Sequence, residues 1–264
     1  MQAGKPKLSP TLIAELDVLD LEILYGSDTE NFIDKADDVT MPSWPEFMLN
    51  DMVANEHWTT LNVKHPDFQF ALYEKQTGLW IAVGNSIPVH WSDSLETLPD
   101  EGWDWALRSG VEDDTPANLL CALAIQVLPK YRGKGLSKLM VQIMKDIGQQ
   151  FGYDKLIAPV RPNKKCDYPL LAMEEYLTWS RNGEHFDPWI RVHQRLGARI
   201  LKVCPQAMHI RGTVKNWEDW TEMSFQSGGD YIISGALTSV QFDVENDWGD
   251  YVEPNVWMLH ERQD

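Results

Sequence analysis

The stretch Leu119-Leu-Cys-Ala-Leu-Ala-Ile-Gln-Val-Leu-Pro-Lys-Tyr-Arg-Gly-Lys-Gly-Leu-Ser137 decides how this chain folds. Leu119–Leu128 is an apolar run of strand length, and Pro129 ends it. A basic loop follows, from Lys130 through Tyr131, Arg132, Gly133 and Lys134 to Gly135. From Leu136 onward, apolar residues recur at Leu139, Met140, Ile143, Met144, Ile147 and Phe151. That spacing paints one face of a helix, and Gly152 is a natural stop. The unit is buried strand, basic glycine loop, amphipathic helix.

Such a unit binds anions. The first amides of a helix have no internal partner, and the macrodipole adds positive potential there. Gly133 and Gly135 let backbone N–H groups approach a ligand, and Ser137 is expected to cap the helix. Arg132, Lys134 and Lys138 add mobile positive charge, which suits a phosphate or pyrophosphate. A Walker A loop needs Lys-Ser/Thr after the second glycine, and Leu136 stands there. A Rossmann fingerprint needs a third glycine, which is absent.

What remains is Arg-x-x-Gly-x-small at Arg132, Gly135 and Ser137, preceded by Val127-x-Pro129. This resembles motif A of the GNAT superfamily, the acetyl-CoA-dependent N-acetyltransferases; Ser137 stands where the family usually has Gly or Ala. Further along, Asp187-Pro188-Trp189-Ile190-Arg191-Val192-His193-Gln194-Arg195-Leu196-Gly197 reads as a capped helix, with Asp at the N-cap, Pro at N1 and Gly at C′. A strand at Ala198–Val203 follows. This second unit resembles motif B of the same superfamily.

The resemblance covers roughly residues 65–203 and implies an α/β fold: a mixed, mostly antiparallel central sheet flanked by helices. Residues 1–264 then form one acyltransferase domain, with a helical insertion at 164–186 before the motif B helix and a C-terminal extension. It implies acetyl-CoA, or another acyl-CoA, as cosubstrate, no metal, and a small-molecule amine as acceptor. Backbone groups of Ile125, Gln126 and Val127 would hold the pantetheine and polarise the thioester. Arg132, Gly133, Lys134, Gly135, Leu136 and Ser137 would hold the pyrophosphate, and Asn163 joins the cofactor set.

Composition sets bounds. The net charge is −17, which argues against nucleic acid or an anionic membrane as partner and makes the basic cluster at 130–138 conspicuous. An acidic surface suits a cationic acceptor, and it equally suits plain solubility. The three cysteines are scattered, no CxxC or zinc spacing exists, and no signal peptide or transmembrane run is visible. A cytoplasmic setting is expected, and a homodimer is left open.

Outward from the central unit, Phe68–Glu74 and Leu79–Val89 read as strands of a hairpin turning at Lys75–Gly78. Leu12–Ile23 is a helix or an edge strand, and Ser43-Trp44-Pro45-Glu46 resembles a capping box opening a helix. Residues 91–118 form a polar connection with a short helix. Lys155–Val160 is a strand carrying Pro159, which fits a place where pairing has stopped. Tyr168–Arg181 is expected to be helical, and Trp217 and Trp220 sit in a short amphipathic segment. Tyr231–Ile233, Val240–Val244 and Val256–His260 are strand candidates.

Acyl transfer to an amine needs a base for the amine, donors for the carbonyl oxygen and a proton for the thiolate. No base is named: the central strand offers only Cys121 and Gln126 as polar side chains, and a base would come from elsewhere, such as Glu56, Asp104 or Glu112, each more simply read as a solvated surface acid, or from water. The family's acid is a tyrosine three residues before the Leu-Gly pair, and here that position is His193. His193 is the candidate proton donor, with a structural histidine beside Trp189 as the alternative. Two other functions stay open: a noncatalytic acyl-CoA-binding module, and an acyl-CoA enzyme with a non-amine acceptor or decarboxylase chemistry.

Overall fold

The computed structural model describes residues 6–262. In chain order the elements are α1 (Pro10–Val18), β1 (Leu21–Tyr25), α2 (Phe32–Thr40), α3 (Met52–Lys64), β2 (Gln69–Glu74), β3 (Trp80–Val89), α4 (Gly102–Glu112), β4 (Leu119–Val127) and α5 (Leu136–Gln150). Then come β5 (Lys155–Val160), α6 (Met173–Tyr176), β6 (Ser180–Arg181), β7 (Glu184–His185), α7 (Pro188–Arg195), β8 (Arg199–Gly212), α8 (Val214–Thr221), β9 (Gly229–Tyr231), β10 (Val240–Asp243) and β11 (Trp248–Glu261). The main sheet runs β1-β2-β3-β4-β5-β11-β10-β9, with β8 paired to β11. Every pairing is antiparallel except β4 with β5.

Both faces are covered, as a sheet with apolar residues on each side requires. Leu139, Met140, Ile143, Met144 and Ile147 of α5 pack with Leu12 and Leu16 of α1 over Phe70, Leu72 and Leu120. Ile190 of α7 lies on the same face, over Ala158, Val160 and Met258. The opposite face carries α3, α4 and α8, where Leu61, Trp103, Leu107 and Trp217 meet Cys121, Ile157 and Trp257.

Two irregularities shape β4. Its pairing to β3 skips Leu123: Ser86 faces Ala122 and Asn85 faces Ala124. That bulge shifts the side-chain alternation by one residue. Before it, Leu119, Cys121 and Leu123 point to the α3/α4 face. After it, Ile125 and Val127 point to the α5 face. The indole N–H of Trp103 on α4 donates to the Leu123 carbonyl at 2.9 Å and holds the bulge. The second irregularity is a gap. β4 meets β5 only at Leu120↔Leu156 and Cys121↔Ile157, and then the strands part. Pro159 lies beyond that point, opposite Trp257 of β11, where no β4 donor is needed.

Several expectations need correction. The helix after Trp44 opens at Met52, because Asp51 and not Ser43 caps it; Glu46–Asn50 is a 3₁₀ turn. Leu12–Ile23 is both helix and strand, broken at Asp20, whose φ is +56°. The connection at 91–118 contains an 11-residue helix with six apolar or glycine residues buried. The 164–186 insertion is only partly helical: it holds a 3₁₀ turn, a four-residue helix and a two-stranded hairpin in place of the helix expected over Tyr168–Arg181. Its packing explains this. Lys165 is fully buried, and its ammonium donates to the carbonyls of Tyr168 and Leu237, so tertiary contacts override helical periodicity.

Candidate active site

The loop between β4 and α5 is built for an anion. Gly133 and Gly135 have φ of +77° and +83°, a conformation other residues adopt at a cost. A Cβ on either would meet no protein atom within 4 Å, so the space above them is open. Among the described residues, the amides of 133–137 donate to no backbone carbonyl, whereas those of Arg132 and Lys138 do. Those unbonded amides and the start of the α5 dipole face the same opening.

The side chains of the loop differ from expectation. Ser137 does not cap α5: Gly135 is the N-cap, and Ser137 lies one residue into the helix after Leu136. Arg132 is exposed but tethered. Its Nε donates to the Val127 carbonyl at 3.1 Å and its Nη2 reaches Ser43 Oγ at 3.5 Å. Lys130 and Lys134 rest over the Tyr131 ring, 5.0 and 4.9 Å from its centre. The Tyr131 hydroxyl donates to Glu74 at 3.3 Å, so an unassigned tyrosine organises the loop's cations.

The gap between β4 and β5 leads from this loop. Past Cys121 the β5-facing edge of β4 has no strand partner among the described residues; apart from the Leu123 and Val127 carbonyls, which accept from Trp103 and Arg132, its backbone groups are open to an extended ligand arm. Ala122, Ala124 and Ile125 are partly exposed along it. The Gln126 side chain is buried, and its Oε1 has no partner. Asn163 is exposed in the turn beyond β5, where its carbonyl accepts from the Cys166 thiol at 3.6 Å.

α7 forms as its caps dictate. Asp187 accepts from the N–H groups of Trp189 and Ile190, and Gly197 closes the helix at φ +85°. His193 lies in its last turn, only 2% exposed, with Trp189 against its ring. Its Nδ1 is 2.8 Å from Nε2 of His260 on β11. Burial, then His260, holds His193 well below the usual imidazole range. Burial and Lys145 push His260 down to about 4. Both rings are neutral at physiological pH. The Nε2 of His193 has no partner. His260 carries no sequence signal; only the strand register brings it here.

The opposite face holds a buried polar cluster whose assembly the sequence did not reveal. Glu253 on β11 is fully buried and accepts from Arg161 Nε at 2.9 Å, from the Tyr251 hydroxyl at 2.8 Å and from Asn255 Nδ2 at 3.1 Å. Arg161, just past the open end of β5, also donates to the Gly235 carbonyl at 2.6 Å and lies under Trp44. Asp51 and Asp104 are buried nearby at the starts of α3 and α4.

A splayed parallel pair, a bulged strand and an open amide-lined loop before a helix are now joined by sequence kinship. The chain is 31% identical over 253 residues to the arginine N-acetyltransferase avaD of Aspergillus versicolor, across 82% of this chain and 84% of that protein. The chain belongs to the GNAT superfamily. It is an acyl-CoA-dependent N-acyltransferase. Two solved structures share the GNAT fold. The loading GNATL domain of CurA from Lyngbya majuscula matches with a TM-score of 0.62 and 19% identity, over 91% of this chain and 97% of that one. The GphF GNAT-like decarboxylase in complex with isobutyryl-CoA matches with a TM-score of 0.56 and 15% identity, over 91% and 98%. No family model matches the chain. Among the described residues, no group of three or more His, Cys, Asp or Glu side chains is arranged to hold a metal, and no helix is long and apolar enough to cross a membrane.

Proposed function

We propose that this protein transfers an acetyl group from acetyl-CoA to a nitrogen of arginine or of a small arginine derivative, as one catalytic domain in the cytoplasm. The observation that carries the acceptor is the kinship to an arginine N-acetyltransferase over most of both chains. The acidic composition, with a net charge of −17, agrees with a cationic acceptor.

In this reading the amides of residues 133–137 hold the pyrophosphate, and Lys134 and Lys138 add charge around it. Arg132 acts through the backbone, clamping the end of β4. Ile125, Gln126 and Val127 offer main-chain groups to the pantetheine arm, and Asn163 flanks it from the β5 side. The acceptor nitrogen attacks the thioester carbon, the carbon–sulfur bond breaks, the nitrogen loses a proton, and the thiolate gains one.

His193 is the proposed proton donor. Its place before Leu196-Gly197 and its unpartnered Nε2 support this. When His260 Nε2–H donates to His193 Nδ1, His193 presents Nε2–H to the departing thiolate, and the pair delivers that proton as it takes up the one the acceptor nitrogen loses, so no imidazolate is left. The burial of the pair equally supports a structural role, tying α7 to β11. His193→Phe separates the two. As an acid, its loss slows turnover by roughly 10²–10⁴-fold with CoA affinity unchanged. As a clamp, its loss lowers the melting temperature and leaves turnover of the folded protein intact. The wild-type assay is CoA release with arginine. No release with arginine, and release with some other amine, would overturn the acceptor assignment.

A further inference from the structure

Asp51 and Asp104 are 0% and 6% exposed, yet among the described residues no cationic side chain bonds them. Asp51 accepts from the Ala54 N–H at 2.8 Å as the cap of α3, and the His209 N–H serves both carboxylates. Asp51 Oδ2 and Asp104 Oδ1 are left without partners. Glu253, the third acid here, is already neutralised by Arg161. Burial and then the Asp51 charge push Asp104 up to about 8, and burial raises Asp51 as well. The charge of Arg108, one turn on along α4, opposes this for Asp104 without a hydrogen bond to it.

Two more buried oxygens on this face of the sheet lack donors, one beside Val83 under α2 and one at the far end of α3. Past the β4 bulge, Ile125 and Val127 point toward α5, so Gln126 points to the α3/α4 face. A Cβ on Gly84 would meet Met140 of α5, so Asn85 points to that face too. The buried oxygens Gln126 Oε1 and Asn85 Oδ1 are both unpartnered. The unpartnered ring nitrogens of His185, His193 and His260 lie toward α7, on the other face. In the acid pair itself the unpartnered atoms are carboxyl oxygens, costly to leave unmade. A guanidinium is the converse group: all donors, no acceptor, and shaped for carboxylates.

The placement fits the reaction. Asp104 follows Trp103, whose indole holds the bulge carbonyl of β4. Glu253 and Arg161 mark the open end of β5. The acid pair thus flanks the gap from the face away from α5, where an acceptor would approach a thioester lying along β4.

We propose that Asp51 and Asp104 form the subsite for the guanidinium of the acceptor. This rests on arginine as the acceptor class. The pair is closed to bulk water in this conformation, so binding requires a covering side chain to move. Half-buried Trp44, packed over Arg161, stands at that edge.

The test compares arginine with citrulline, its uncharged isostere, by CoA release. Asp104→Asn keeps the shape, and Asp51→Asn can still cap α3. In each variant the KM for arginine should rise by on the order of tenfold to a hundredfold, with the KM for acetyl-CoA unchanged. The preference for arginine over citrulline should shrink by a similar factor. Because Asp104, pushed up to about 8, is mostly protonated at neutral pH and bonds no cation, Asp104→Asn removes no ion pair and the variant should melt no lower than the wild type. An arginine-to-citrulline ratio unchanged in folded variants overturns the subsite alone. A wild-type protein that acylates citrulline or another neutral amine in preference to arginine overturns the acceptor class as well.

Discussion

On the α5 face, the anion loop comes from one unbroken piece of chain: Val127, the Gly133–Gly135 turn and the start of α5 lie within a dozen residues. On the α3/α4 face, Asp51, Asp104, Arg161 and Glu253 arrive from four separate elements or their ends. The first site is held by local backbone geometry and stays wet. The second is assembled by long-range packing and is dry. In the dry site each charge depends on its partner, because desolvation is only repaid by close pairing. In the wet one a single charge matters little.

The largest effect expected from this contrast is on the dry face. Glu253→Gln should destabilise the protein by about 3–5 kcal/mol, because it leaves the Arg161 guanidinium without its counter-charge. The urea midpoint at neutral pH measures it. A loss below about 1 kcal/mol, the range of exposed pairs, would mean that water reaches Arg161 and that the two faces do not differ as described.

The same contrast explains what the sequence could reveal. The strand–loop–helix unit was legible because apolar period, proline and glycine act over a few residues. Leu119–Val127 and Leu136–Gln150 appear almost as read. α7 was legible for the same reason, since Asp187, Pro188 and Gly197 are local signals. The acid pair was not legible. Asp51 and Asp104 look like ordinary helix-start residues, and only the packing of α3, α4 and β8 brings them together. His260 is equally silent, because its meeting with His193 depends on the register of β11 with β5. The 164–186 segment misled for a third reason: its apolar residues serve the burial of Lys165, Tyr176 and Asp187, not a helix face.

Gly135→Val probes the wet face at its most sensitive point. A Cβ there meets no protein atom within 4 Å, so the core stays as it is, but a β-branched residue at φ +83° is strained and covers the amides. Calorimetry should show CoA affinity falling by on the order of a hundredfold, roughly 3 kcal/mol, with a cooperative melt retained. Undiminished affinity in the folded variant would remove the pyrophosphate assignment.

Lys134→Ala should give the smallest effect, and its smallness is the point. The ammonium is exposed and rests on the Tyr131 ring, which itself is bonded to Glu74. It can swing to a phosphate, but it must leave the ring and shed little water to do so. One such contact is worth about 1 kcal/mol, or roughly a fivefold loss of CoA affinity, and it should fade as salt is raised. The backbone amides beneath it are unchanged by the substitution, so they should hold most of the affinity at high salt. If Lys134→Ala instead costs as much as Gly135→Val, at high as well as low salt, the ammonium is a buried and obligatory partner in the complex. The loop would then have to close over its ligand, and the α5 face would be as dry when bound as the α3/α4 face is already.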